Sequence, residues 1–371
     1  MDQAAIRKEL LGRCRQIIVK AGTRLLSDHS QIARLVEGIA EIRARGCRAL
    51  LVTSGAVGMG MRELGLAKRP RELSQVQALA AIGQCKLMAI YEEECRKRGF
   101  KSAQLLLNTS DLKSRERYLN VMNCINALWD NDVLPIINEN DSVSVDELKF
   151  GDNDTLAGML GTITGAQLTI ILTTEQGLRE RVEGKLGKRI PVVAKLDQAV
   201  KDMAGGTDNA EFSIGGMASK LKAAELVTSA GEYLWIADGR EEKIINRILD
   251  GEDVGTLFVP GPRRVPGHKR YLRYFAAPAG SLVVDAGAAK ALRNKGGSLL
   301  PSGIVEVRGS FKRGNSVEII DAAGTAIARG LVNYASSECD LIKGLHSSKL
   351  EKALGHTADT EVVHRDNLSL L

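Results

Sequence analysis

No run of apolar residues in this chain of 371 is long enough to span a bilayer, which argues against a transmembrane helix. The first eleven residues read as charged and helical rather than as a signal sequence. Cysteine is sparse and scattered: Cys14, Cys47, Cys85, Cys95, Cys124 and Cys339 form no Cys-x-x-Cys pair and no cluster with histidine. That pattern argues against a disulfide framework and a structural zinc site, and a reducing cytoplasm is the expected compartment. The Gly-x-x-x-x-Gly-Lys-Ser/Thr motif is missing in its strand-to-helix setting, so the chain is not a P-loop enzyme. There is no internal repeat and no low-complexity tract.

What is present is ordinary for a globular protein: 44% hydrophobic and 26% charged residues, over a length that favours two domains. The charge is unevenly placed. From Arg263 onward there are 16 Lys+Arg against 10 Asp+Glu, whereas the first 262 residues hold 35 of each. All of the net +6 therefore belongs to the C-terminal part. A mildly basic module points either to an anionic partner such as RNA or to solubility alone.

From residue 17 the pattern alternates between buried strands and amphipathic helices. Strands are expected at Ile17–Ala21, Arg48–Thr53, Ser102–Leu107, Val133–Asn138, Gln167–Thr173 and Tyr233–Ala237. Helices are expected at Ser30–Arg45, Ser74–Arg98, Leu112–Asp130 and Met217–Ala230. Strands that alternate with helices imply right-handed βαβ units, hence an open, mostly parallel sheet sandwiched by helices. Four prolines, Pro260, Pro262, Pro266 and Pro278, then mark a linker. Beyond it, Ser281–Val284, Ile304–Val307, Ser316–Ile320 and Ala326–Val332 read as short strands with one small helix near Ala286–Arg293, a small mostly-β domain. The expected boundaries are a first domain at 1–258, a linker at 259–278 and a second domain at 279–371.

Five segments carry chemistry. Ile137-Asn138-Glu139-Asn140-Asp141 closes one apolar strand, and Gly151-Asp152-Asn153-Asp154 precedes a helix. One of the acidic or amide residues there is expected to cap that helix, but a cap uses a single side chain. The remaining carboxylates repel one another unless cations lie among them. Lys20, after the first strand, and Lys220, in Gly215-Gly216-Met217-Ala218-Ser219-Lys220, are candidate cations, each beside a glycine turn that brings backbone N–H groups close to phosphate oxygens. Ser54-Gly55, after the second strand, offers a hydroxyl and N–H groups to acidic groups of a substrate.

Together Val19-Lys20-Ala21-Gly22-Thr23, Val52-Thr53-Ser54-Gly55-Ala56, Ile136–Asp141, Gly151–Asp154 and the Gly-Gly-Met-Ala-Ser-Lys segment resemble the amino-acid kinase family, and within it the branch that phosphorylates the γ-carboxylate of L-glutamate. The C-terminal module resembles a PUA domain, a small RNA-binding fold, through Asp285-Ala286-Gly287-Ala288, Ser298–Ile304 and Gly330–Tyr334. The resemblance implies ATP and Mg²⁺ as cofactors, a cytoplasmic homo-oligomer with no membrane partner, coupling to a reductase that consumes glutamyl phosphate, and RNA binding by the PUA-like module. It implies catalytic roles for Lys20, Lys220 and Asp154, the last orienting the two lysines. Ser54, Asp141 and Asn153 would bind the acceptor. Lys20, Gly22, Thr23, Thr173, Thr174, Ile214, Gly215, Gly216, Met217, Ala218, Ser219 and Lys220 would bind the nucleotide; no residue is assigned as a metal ligand.

Departures from the family pattern cluster on the nucleotide side. Arg24 replaces Ser or Asn, Thr174 replaces Asp, Ile214 replaces Thr, and a short basic loop at Arg179–Arg189 stands where Tyr-Thr-Ala-Asp-Pro is usual. Two other readings compete: a carboxylate kinase of the aspartate or acetylglutamate type, and an RNA-binding or regulatory protein with a degenerate kinase domain. Retention of both lysines and of the acidic residues counts against the latter.

Overall fold

The computed structural model describes residues 2–26, 28–143, 153–182, 185–203, 216–261, 265–356 and 359–371. Among these, no helix is long and apolar enough to cross a membrane. The chain divides into two compact units: Met1–Asp111 with Leu119–Arg264, and Leu112–Tyr118 with Val265–Leu371.

The first unit runs α1 (Gln3–Arg13), β1 (Gln16–Ala21), α2 (His29–Ala44), β2 (Arg48–Val52), α3 (Ala56–Glu63), α4 (Leu73–Lys97), β3 (Lys101–Leu107), α5 (Thr109–Lys113), α6 (Arg115–Asp130), β4 (Val133–Glu139), α7 (Asn153–Thr164) and β5 (Leu168–Thr173). It continues with β6 (Arg179–Val182), β7 (Lys185–Arg189), β8 (Val192–Val193), α8 (Gln198–Asp202), α9 (Met217–Ser229), β9 (Tyr233–Asp238), α10 (Ile244–Leu249) and β10 (Thr256–Phe258). Eight strands form one sheet in the order β3-β4-β2-β1-β5-β9-β10-β8. It is parallel from β3 to β9, and β10 pairs antiparallel with β9. The chain leaves β1 toward β2 on one side, and β5 toward β9 on the other, so the order reverses between β1 and β5. In open α/β sheets the crevice at the carboxyl ends of the strands at such a reversal is where ligands bind.

Burial on both faces explains the near-continuous apolar runs of β1, β2, β5 and β9. The core on one face gathers Ile17, Val19, Leu51, Ile136 and Trp235 against Ile32, Ile39 and Tyr91, with Ile248. On the other face Ile171, Leu234 and Ile236 meet Leu221, Ala224 and Val227.

The second unit contains α11 (Gly267–Tyr274), β11 (Gly280–Val284), α12 (Ala286–Lys295), β12 (Ile304–Gly309), β13 (Ser316–Ile320), β14 (Ala326–Leu331), α13 (Ser336–Ile342), α14 (Leu350–Leu354) and β15 (Leu368–Leu370). Its five-stranded sheet has the order β12-β11-β13-β14-β15 and encloses a separate core of Leu282, Val317, Ile319, Ile327 and Val363. The expected mostly parallel α/β sheet and small mostly-β module are both present.

Local corrections have physical causes. The expected linker 259–278 contains α11, which buries Tyr271 and Leu272. Tyr271 stacks on Tyr118 at 4.6 Å between ring centroids and donates its hydroxyl to the Lys113 carbonyl at 2.8 Å, which draws 112–118 into the second unit. The single helix expected at Leu112–Asp130 is accordingly broken at Ser114, and Asp111 accepts from the Asn108 N–H. The basic loop at Arg179–Arg189 is a hairpin of β6 and β7. The stretch after Ser54 is the helix α3, and glycines on both helices let α4 approach: a Cβ on Gly60 of α3 would overlap the Leu79 carbonyl oxygen, and one on Gly83 of α4 the Ala56 carbonyl oxygen.

Candidate active site

The carboxyl ends of β4, β2 and β1 lie side by side, and the first turn of α7 reaches both β4 and β1 through consecutive residues. Asp154 goes to the β1 side. Pleating sends Val19 and Ala21 into one core and Lys20 to the opposite face, where the Lys20 ammonium meets Asp154 Oδ1 at 2.5 Å. From α9, Lys220 meets Asp154 Oδ2 at 2.8 Å. The Ser219 hydroxyl lies 3.0 Å from the same oxygen and 2.9 Å from the Gly216 carbonyl, one proton between two acceptors. The two helices come this close because Gly158, one turn after Asp154, faces Ala223; a Cβ there would sit 3.0 Å from the Ala223 backbone.

All three charged groups are withdrawn from water: Asp154 is 0% exposed, Lys220 4% and Lys20 6%. Burial pushes the Asp154 carboxyl up, but the Lys20 and Lys220 ammonium groups outweigh it and hold the acid below the ordinary carboxylate range. Among the described residues, two buried cations share this one carboxylate, a setting that favours an anion. The Gly22 turn adjoins the lysine: a Cβ there would lie in ordinary van der Waals contact with the Lys20 nitrogen, at 3.5 Å. Gly55 has φ +98 and caps the start of α3, a conformation that favours glycine; a Cβ there would lie in van der Waals contact with Leu26 and the Thr23 methyl, so the two turns adjoin.

Asn153 goes to the β4 side, into a network without formal charge. Its Nδ2 donates to Ser54 Oγ at 2.7 Å and to Asn138 Oδ1 at 3.1 Å. Asn138, at the end of β4, also accepts from the Glu139 backbone N–H at 2.9 Å and donates from Nδ2 to Gln84 Oε1 on α4 at 2.9 Å. Beneath Ser54, Thr53 shares a hydrogen bond of 2.8 Å with the buried Tyr91 hydroxyl. Asp141 lies in the turn after β4, half-buried.

Of the residues expected at the nucleotide, Thr173 ends β5 beside Asp238 of β9, and Gly216, Met217, Ala218 and Ser219 form the cap and first turn of α9. The Thr174 carbonyl accepts from Arg240 at 2.6 Å, and Arg240 is paired with Asp238. Sequence reasoning missed this strut. Gly151, Asp152, Ile214 and Gly215 lie outside the described residues.

The family implies magnesium, and the charged half does not offer it a protein cage: both Asp154 oxygens already face ammonium groups. Among the described residues, three groups with ligand atoms near one another occur at His29, Glu93 and Glu94, but Lys97 and Arg98 already hold Glu94.

Gln84 and Tyr91 were also missed. Their signal was a polar group on the stripe of α4 that otherwise reads Val76, Leu79, Ala80 and Leu87, all buried.

The amino acid kinase family model matches residues 15–238, and a PUA domain model matches 280–354. The glutamate 5-kinase of Methylococcus capsulatus is 42% identical over 98% of this chain and 99% of its own length. Those of Thioalkalivibrio sulfidiphilus and Trichlorobacter lovleyi are 40% and 41% identical over comparable spans. Among solved structures, a carbamate kinase from Giardia lamblia bound to AMP-PNP has a TM-score of 0.48 at 16% identity, covering 67% of this chain and 99% of that one. With its kinase model spanning the sheet that carries the paired lysines and its relatives matching end to end, this chain belongs to the amino acid kinase family.

Proposed function

We propose that this chain transfers the γ-phosphoryl group of ATP to the γ-carboxylate of L-glutamate, giving L-glutamyl 5-phosphate, the first step toward proline. The observation that carries this reading is likeness over the whole chain to glutamate 5-kinases at 42% identity. The geometry supports it. A carboxylate is already a nucleophile at neutral pH, so no general base is required; what the reaction needs is alignment and positive charge around the transferring group.

In this reading Lys20 and Lys220 contact the γ-phosphoryl oxygens, and Asp154 holds the two ammonium groups apart and in place. Gly22, Thr23, Thr173, Thr174 and the first turn of α9 receive the nucleotide, while Ser54, Asn153 and Asp141 receive the amino acid. No step is assigned to a protein-held metal; magnesium enters with the nucleotide's phosphates. The product is a labile acyl phosphate, so coupling to a reductase that consumes it, in a cytoplasmic homo-oligomer, belongs to the same proposal.

The test is ATP consumption over a panel of amino acids with hydroxylamine trapping. Hydroxamate formed with L-glutamate alone is the expected result. Equal turnover with aspartate or acetylglutamate overturns the acceptor assignment. For the basic PUA unit, filter binding with structured RNA separates an RNA ligand from a purely regulatory role.

A further inference from the structure

We infer that Gln84 is a positioning residue that fixes the hydrogen-bond polarity of the acceptor half of the site, and through it the selection of a substrate carrying an α-ammonium group. The inference rests on the proposed glutamate kinase function and deepens it.

Polarity starts from a group that can only donate. The Glu139 backbone N–H points at Asn138, so the Asn138 atom that receives it at 2.9 Å is the carbonyl oxygen, and the Asn138 amide nitrogen must face the other way. There it meets Gln84 Oε1 at 2.9 Å. Without Gln84 that buried nitrogen has no acceptor in this network, and the Asn138 side chain loses one of the three contacts that hold its plane.

The consequence passes to the next amide. Asn138 Oδ1 takes one of the two Asn153 N–H groups at 3.1 Å, and Ser54 Oγ takes the other at 2.7 Å. Both donors of Asn153 are thereby used, which leaves its Oδ1 as an acceptor only. That oxygen is buried and has no hydrogen-bond partner among the described residues. Ser54 Oγ, having accepted from Asn153, keeps its own proton to donate. The network thus presents one acceptor for an ammonium group and one donor for a carboxylate, the pair that an α-amino acid requires.

Gln84 itself is 7% exposed, and its Nε2 is a buried donor with no partner among the described residues. A glutamine kept on an apolar helix stripe with one end unsatisfied is costly as mere packing, since methionine would fill the space without a buried orphan. Its placement is also held tightly. Gly83 beside it sits against the Ala56 carbonyl, and Tyr91, two turns on, is bonded to Thr53. The same helix therefore supports both Asn138 and the Ser54 turn.

The experiment compares wild type, Gln84→Met and Gln84→Glu in steady-state kinetics with L-glutamate, with glutarate, which lacks the ammonium group, and with varied ATP. For Gln84→Met the expected result is a glutamate KM raised roughly tenfold or more, with kcat and the ATP KM within about twofold of wild type. Preference for glutamate over glutarate should fall by a similar factor. Gln84→Glu keeps an acceptor for the Asn138 N–H and is expected to recover most of that preference. A folded Gln84→Met enzyme with wild-type glutamate KM and preference overturns the inference, as does a parallel rise in both KM values. If Gln84→Met does not fold, a Gln84→Glu enzyme that no longer prefers glutamate overturns it. Failure of the wild type to consume ATP with glutamate would instead sink the proposed function.

Discussion

The two halves of the site are built from different materials. On the β1 side, three ionised groups are buried together; on the β4 side, the described contacts run through amides, hydroxyls and a backbone N–H. The difference follows from what each half must do in the proposed reaction. Charge accumulates on the transferring phosphoryl group, so fixed cations in a dry setting stabilise its transition state. The acceptor carboxylate has to remain a nucleophile. Neutral donors can orient it without drawing off its charge, and amide polarity supplies discrimination that cations do not.

The largest effect is expected where that comparison is broken at its centre. Asp154→Asn removes the carboxylate shared by two buried ammonium groups, and a loss of about 3–5 kcal/mol of stability is expected alongside loss of turnover. Urea unfolding of both proteins checks this; an unchanged midpoint would mean that the lysines escape to water. Next come Lys20→Ala and Lys220→Ala. Each should cost about 3–4 kcal/mol of transition-state stabilisation, a hundredfold or more in kcat, with the fold intact by circular dichroism. Near-normal turnover would remove that lysine from the mechanism.

On the neutral half the effect should be smaller and different in kind. Asn153→Ala is expected to raise the glutamate KM about tenfold while the ATP KM holds, because contacts to the amino acid's ends are shared by ground and transition states. A collapse of ATP affinity instead would erase the division into halves.

The smallest effect concerns pH and a charge cluster outside the site. Lys97 and Arg98, with His29, hold the Glu94 carboxyl down at about 2 from an ordinary 4.5, against the upward push of burial. A carboxyl whose acidity is strengthened by folding stabilises the native state above its unfolded pKa, and that contribution is lost as pH falls from about 4.5 toward 2. Asp154, also lowered, acts in the same direction. Comparing unfolding of wild type and Glu94→Gln at neutral and acid pH checks this, and a difference that persists at pH 2 would show another origin.

Much of this was legible in the residues. The strand and helix pattern predicts the sheet because both faces are covered and apolar runs mark every central strand. The paired lysines and Asp154 stand at glycine turns after strands and before helices, a weak signal taken singly that gained its meaning from the resemblance to amino-acid kinases. Gln84 was legible only as a polar residue on the apolar stripe of α4, and its meaning depends on β4 lying against it. The link between Tyr118 and Tyr271 was hidden for the same reason: the two residues are far apart in sequence and neither interrupts a pattern. Proline spacing suggested a linker where α11 in fact buries aromatic rings.

That tyrosine pair has a consequence for how the protein is made. Leu112–Tyr118 leave the ribosome early, yet the segment they pack with begins only at Val265, after residues 119–264 have been synthesised. At about 5–20 residues per second, the first half of the molecule waits on the order of ten seconds with Leu112 and the Tyr118 ring lacking their final neighbours. The nascent chain therefore passes through an interval in which its own midsection is adhesive, and chaperone capture or misassembly would concentrate there rather than at either terminus.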